Sequence, residues 1–280
     1  ADACADGLAR LAAAIRGEGA VACLQIAHAG SRASSRVTGL PVVSASPVAT
    51  GREAHEETPA ALDTGGIANV VEAFAAAAAR ARRAGFDAVE VHAAHGYLLS
   101  QFLSPLTNRR EDDYGGDAAR RARLTADVVT AITQRVGPGF PVFVRLGMHD
   151  ERPGGLTLAP ACWTAARLVE AGASLIDVSG GLAGSDDPGR GPGYFVPYAE
   201  ALKDVVNVPV LVAGGITDPR TADVIVRSRR ADIVGVGRAM LADPAWAARA
   251  VEMLREAPAA STPTSGAQSG STPSPRWPAS

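Results

Sequence analysis

Two imidazoles and a phenol fall within six residues of the stretch VEVHAAHGYLL: His92, His95 and Tyr97. Imidazole N–H groups donate hydrogen bonds to a polarised oxygen, and a phenol is a proton source for general acid catalysis. The small and β-branched residues Ala88, Val89 and Val91 precede them and follow a helix-like run ending at Ala84-Gly85, which predicts a strand. Alternation puts Ala88, Glu90 and His92 on one face of that strand. The histidines then sit where the strand runs out, the end at which (β/α) barrels gather their chemistry. Each residue also has a structural use. A strand-end His can bond the scaffold, and a Tyr after Gly can be a core aromatic with a satisfied hydroxyl. His-x-x-His can be half a metal site, although the local sequence offers no third ligand.

Other polar residues interrupt or close apolar runs. Gln25 breaks VACLQIA, and a buried amide there must bond either the scaffold or a ligand. Arg145 sits inside PVFVRL, where a guanidinium is costly unless it meets an anion or a strong acceptor. A salt bridge within the sheet, for instance to Glu90, is the structural alternative. The last two strands end at Gly214-Gly215 and Gly237-Arg238, ahead of helices. Glycine turns expose backbone N–H groups, a helix start favours an anion and Arg238 adds charge, the phosphate-binding arrangement expected late in a barrel. Tight turns alone are the alternative.

The elements that must position these groups alternate. Helices are predicted over 2–16, 67–83, 118–136, 159–171, 197–205, 219–228 and 245–256. Strands are predicted over 21–27, 86–92, 141–146, 175–178, 208–213 and 232–236, and a long Ser/Pro/Gly-rich loop over 28–66. Such alternation implies parallel βαβ units. If the two glycine-ended strands are the seventh and eighth of a barrel, the six visible strands are the third to the eighth.

The 280 residues suit one domain over 1–257, with 258–280 a low-complexity, disordered tail. A formal charge of −2 gives no reason to expect nucleic acid or an anionic membrane surface as a partner. The three cysteines (Cys4, Cys23 and Cys162) have no zinc or iron–sulfur spacing and suit free thiols in a reducing compartment. No apolar run reaches a membrane span, and the first residues lack a basic start followed by an apolar core; a cytoplasmic protein is expected.

The segment VEVHAAHGYLLSQFLSPLTNRREDDYGG, with LQIAHAG, VFVRLG, VAGGI and GVGRAM in order and spacing, resembles the Old Yellow Enzyme family of FMN-dependent ene-reductases and NADPH dehydrogenases. The likeness runs over roughly 2–256, and the His-x-x-His form is similar to the bacterial branch. It implies a TIM barrel, (β/α)8, truncated at its N-terminus to about six units, because the motifs of the family's first two strands have no counterpart here. It implies FMN, with NADPH or NADH as reductant. Gln25 and Arg145 would meet the flavin's pyrimidine edge, and Gly214, Gly215, Gly237 and Arg238 its phosphate. His92 and His95 would bind the oxygen of an activated alkene such as an enone or nitroalkene. Hydride would pass from flavin N5 to the β-carbon, and Tyr97 would protonate the α-carbon. Arg110, Asp112 and Tyr114 would tie down the following loop. A homo-oligomer is left open. The alternatives are a dehydrogenase or demethylase on the same scaffold, a phosphosugar barrel enzyme, and a non-catalytic barrel remnant that no longer binds flavin.

Overall fold

The computed structural model describes residues 2–48, 57–184 and 190–256. The tail expected over 258–280 lies outside them. Six strands form one parallel sheet in chain order: β1 (Cys23–Ile26), β4 (Ala88–Ala93), β5 (Val142–Gly147), β6 (Leu175–Ser179), β7 (Val210–Val212) and β8 (Ile233–Val234). β2 (Val43–Ser44) and β3 (Ala60–Ala61) make a separate parallel pair inside the long loop after β1. Sequential parallel neighbours joined through helices are consecutive units of a (β/α) barrel. β1 and β8 are the two ends of the sheet and do not pair with each other.

Alternation gives the sheet two unlike faces. Val89, Val91, Val142, Val144, Ile176, Val178, Val210 and Val212 are at most 1% exposed and join the helices in one core. The opposite face carries polar side chains in two rows. Gln25 lies opposite Glu90, and His92, Arg145 and Asp177 lie side by side on β4, β5 and β6. Neighbouring strands are about 4.8 Å apart, so each row brings its groups within ionic range. A strand buried on both faces was expected at 21–27. Instead Cys23 and Gln25 are exposed, because β1 has a neighbour on one side only.

The helical layer is α1 (Ala5–Gly17), α3 (Thr64–Arg83), α5 (Ala118–Val136), α6 (Leu158–Glu170), α7 (Val196–Lys203), α8 (Pro219–Arg227) and α10 (Trp246–Glu256), with short helices α2 (Ser35–Thr38), α4 (Leu98–Leu103) and α9 (Arg238–Ala242) in the connections. α3 buries Ala75, Ala78 and Ala81 beside Val128, Val129 and Ile132 of α5, small side chains that let the two helices lie close. α3 starts three residues before its predicted position. The Asp63 carboxylate accepts the Gly66 N–H at 2.6 Å and caps a TGG start that reads as a breaker.

Two buried side chains fix the loops at the C-terminal ends of the strands. Gln101, on α4, accepts from Ser31 N (3.1 Å) and Ser44 Oγ (2.8 Å) and donates to Gly96 O (2.7 Å), tying the loop after β1 to the His–Tyr loop. Asp150 accepts from Ser104 Oγ (2.6 Å), Leu156 N (2.7 Å) and Leu182 N (2.8 Å), joining three loops at one fully buried carboxylate. Asp150→Ala orphans those donors, at about 1–3 kcal/mol each when buried. A loss of about 3 kcal/mol or more in urea unfolding is expected; a loss below about 1 kcal/mol would mean that water replaces the carboxylate.

Candidate active site

His92 is the penultimate residue of β4 and is buried, whereas His95 and Tyr97 are half-buried in the loop that follows. The His92 ring meets His95 edge-on at 4.8 Å between centroids and Tyr97 at 5.1 Å. His95 takes the left-handed conformation at φ +60°, uncommon for a non-glycine residue and a point of local strain. That turn is held on both sides. Its N–H donates to Gly180 O (3.1 Å), its carbonyl accepts from Arg32 Nη1 (2.9 Å), and its Nε2 lies 2.6 Å from Ser179 Oγ. The Arg32 guanidinium also sits 5.0 Å from the Tyr97 ring centroid. Burial, then the nearby Arg145 and Arg32 charges, push the His92 imidazole down to about 4. At neutral pH it is an uncharged ring whose buried Nδ1 has no hydrogen-bond partner among the described residues.

Arg145 stands between His92 and Asp177. Its Nε is 3.2 Å from Asp177 Oδ2, an ion-pair distance without hydrogen-bond alignment, and its Nη2 donates to Ser179 Oγ at 3.4 Å. Arg145 Nε and Asp177 Oδ1 are therefore buried polar atoms without a hydrogen-bond partner among the described residues. The structural alternative for Arg145, a salt bridge within the sheet, is present, but with a partner other than Glu90. Register sets Glu90 opposite Gln25, whose Nε2 donates to Glu90 Oε2 at 2.5 Å, and the Arg145 carboxylate partner is Asp177. Burial pushes Asp177 up to about 7, offset by Arg145 and reinforced by Glu90. Burial raises Glu90 as well, against the pull of Gln25 and Arg145.

A cavity of about 280 Å³ is lined by Arg145, Gly214, Gly215, Gly237 and Arg238, with the rings of Tyr194 and Phe195 also in its wall. Gly214 at φ +119° and Gly215 at φ +65° adopt backbone that L side chains resist, and a methyl on Gly214 would come within 3.0 Å of the Tyr194 ring. One expectation is modified. α8 begins four residues past Gly215 and is capped by its own Asp218, which accepts from Arg220 N at 2.9 Å. Asp218 takes up one N–H of that start, whereas α9 begins at Arg238 directly after Gly237 with no side-chain cap, so the N–H groups of the turns, the start of α9 and Arg238 remain as the anion-holding features.

The structure thus brings His92, His95 and Tyr97 together, sets Arg145 beside His92, and joins Arg145 to the glycine turns. Gln25 lies one row away at the sheet's end. Arg32, Ser179 and Asp177 were not singled out as site residues in the sequence; their roles arise from contacts 63, 84 and 32 residues distant in the chain. Arg110 donates to Ala45 O, Leu62 O and Asp112, and Tyr114 to Asp127, which ties the following loop down as expected. Among the described residues, no group of three or more His, Cys, Asp or Glu could hold a metal ion, and no helix is long and apolar enough to cross a membrane.

Residues 2–256 match the NADH:flavin oxidoreductase / NADH oxidase family. The chain belongs to this family. A metal reductase of Desulforamulus reducens is 40% identical over 85% of this chain and 36% of its own length. An NADPH dehydrogenase of a Geobacillus species (strain WCH70) is 39% identical over 89% of this chain and 71% of its own length. The old yellow enzyme homologue of Zymomonas mobilis superposes with a TM-score of 0.77 at 25% identity, over 90% of this chain and 73% of that one. The family is thus the Old Yellow Enzyme type of flavin oxidoreductase. The chain spans about a third of the metal reductase and seven-tenths of the NADPH dehydrogenase.

Proposed function

We propose that this chain forms the catalytic face of an FMN-dependent NAD(P)H oxidoreductase that reduces C=C bonds activated by a carbonyl or nitro group. The observation that carries the reading is the His92–His95–Tyr97 ring cluster beside Arg145, at one end of the cavity that leads to Gly214, Gly215 and Arg238.

The residues present fit FMN. The cavity supplies turn N–H groups and an arginine for a phosphate at one end and a guanidinium at the other, and Arg145 Nε is a buried donor in want of an acceptor. Arg145 and Gln25 would hold the pyrimidine edge, and Gly214, Gly215, Gly237 and Arg238 the phosphate. When bound, FMN supplies hydride transfer, accepting hydride from NADPH or NADH and passing it to the substrate's β-carbon.

The protein's own contributions follow from position. His92 and His95 donate hydrogen bonds to the substrate's carbonyl or nitro oxygen, where negative charge develops. A neutral His92 does this without placing a second cation beside Arg145. Ser179, bridging His95 and Arg145, fixes the ring that it touches. Tyr97 delivers its hydroxyl proton to the α-carbon. Arg32 holds the loop carrying both groups through the His95 carbonyl and the Tyr97 ring. We place this activity in the cytoplasm.

The test is the absorption spectrum of the chain mixed with FMN and desalted. A retained flavin band is expected, with affinity reduced about tenfold in Arg238→Ala through loss of one charge-assisted hydrogen bond at an exposed site. A second reading, a barrel scaffold that holds no flavin, draws on the open sheet: Gln25 and Cys23 at one end and Ile233 at the other are exposed. A colourless protein would favour it and sink the enzyme reading.

A further inference from the structure

The inner face presents one guanidinium to two carboxylates. Asp177 lies beside Arg145 in register on β6. Glu90, on β4, faces the same space one row away, and its charge is felt at both Asp177 and Arg145. With both acids ionised, the group of three carries −1 and repels an anion; with one acid protonated, it is neutral. Arg145 therefore offers a full positive charge to a ligand only to the extent that these carboxylates hold protons.

Asp177 is the acid placed to do so. It is 6% exposed, lies closer to the guanidinium, and keeps one carboxylate oxygen without a hydrogen bond among the described residues. Glu90 is less buried and is stabilised by the Gln25 amide. The groups facing Asp177 from the packed strands are Arg145 on β5, Glu90 and His92 on β4, and the apolar Leu211 on β7. His92 is neutral in the range of interest. Leu211 offers no charge, so nothing on the β7 side compensates an ionised Asp177.

We propose that Asp177 is a positioning and proton-buffering residue of the flavin site: it holds Arg145 while ionised and takes up a proton when negative charge arrives beside that guanidinium. The proposal rests on the FMN reading above. The balance is simple. Hydride brings two electrons and one proton to the ring, leaving one negative charge at the pyrimidine edge. One solvent proton then adds to the Asp177 carboxylate, giving a carboxylic acid, and Arg145 turns from Asp177 to the ring. Linkage requires the reverse as well: protonating Asp177 favours the reduced cofactor. The Asp177 carboxyl titrates near 7, so the exchange falls in the neutral range.

The same position makes a statement about the protein without cofactor. The folded protein binds this proton more tightly than the unfolded chain does, so stability falls as pH rises from the ordinary Asp range towards 7. Asp177→Asn, which keeps size and polarity, should flatten that fall in urea unfolding between about pH 4 and 7.

The deciding experiment is the midpoint potential of bound FMN against pH, for wild type and Asp177→Asn. The wild-type potential should fall more steeply above about pH 7, by the slope of one additional proton per two electrons, and the variant should lose that increment. A wild-type measurement guards against a variant that fails to fold. Infrared difference spectra on reduction at pH 8 should show a carboxylic C=O stretch appearing. Superimposable slopes, or no new carboxylic band, with FMN bound, overturn the role of Asp177 and leave the flavin reading standing. A chain that retains no FMN overturns both.

Discussion

Tyr97→Phe should slow reduction of an enone by the bound, reduced cofactor by about 10²- to 10⁴-fold, the usual range for a lost general acid. Reduction of the cofactor by NADPH should stay within about twofold of wild type, because that half-reaction asks nothing of the phenol oxygen. The substitution removes one oxygen and leaves the ring, which retains its edge contact with His92 and the Arg32 guanidinium over its face. The loop should therefore keep its shape, and FMN should be retained as in wild type. Stopped-flow absorbance at the flavin band separates the two half-reactions. An equal loss in both would assign Tyr97 to the architecture of the loop and remove it from the chemistry. Unchanged rates in both would move the proton source to solvent.

Much of this was legible because local pattern and tertiary demand agree. α5 occupies 118–136 as its periodicity predicts, with Asp117 capping through the Arg120 N–H. β4 ends where the His-x-x-His stretch begins, and Gly214-Gly215 needs the positive φ angles that only glycine adopts freely. What was not legible depends on register and neighbours. Arg145 demanded a partner on sequence grounds, yet LIDVS reads as an ordinary strand, and nothing local says that Asp177 rather than Glu90 lies across from it. Gln25 reads as buried because its strand is apolar; its exposure follows from β1 ending the sheet. α4 escaped detection because all six of its residues are buried, so it has no polar face to set a period.

The histidine pair offers the second large effect. His92→Ala with His95→Ala should weaken binding of phenols, whose oxygen mimics the developing enolate, by about 10²-fold or more, since each hydrogen bond to a charged oxygen contributes about 1.5–3 kcal/mol. The turnover of an enone should fall by about 10²–10³-fold, the cost of emptying an oxyanion site. The two positions are not equivalent. His92 is buried, edge-on to the two other rings, and its truncation leaves a cavity under Tyr97. His95 is half-buried and bonded to Ser179, so its truncation releases that hydroxyl towards Arg145. Replacement of each histidine by Asn separates hydrogen bonding from packing: an amide restores a donor while leaving the ring contacts broken. Phenol affinity recovering with Asn would assign both residues to the oxygen-binding role. Affinity unchanged in the double Ala protein would refute that role, and affinity lost equally with Ala and Asn would mean that the ring cluster acts by packing alone. Reduction of FMN by NADPH supplies the internal control, since the residues proposed to hold the cofactor phosphate, Gly214, Gly215, Gly237 and Arg238, line a cavity that includes neither histidine.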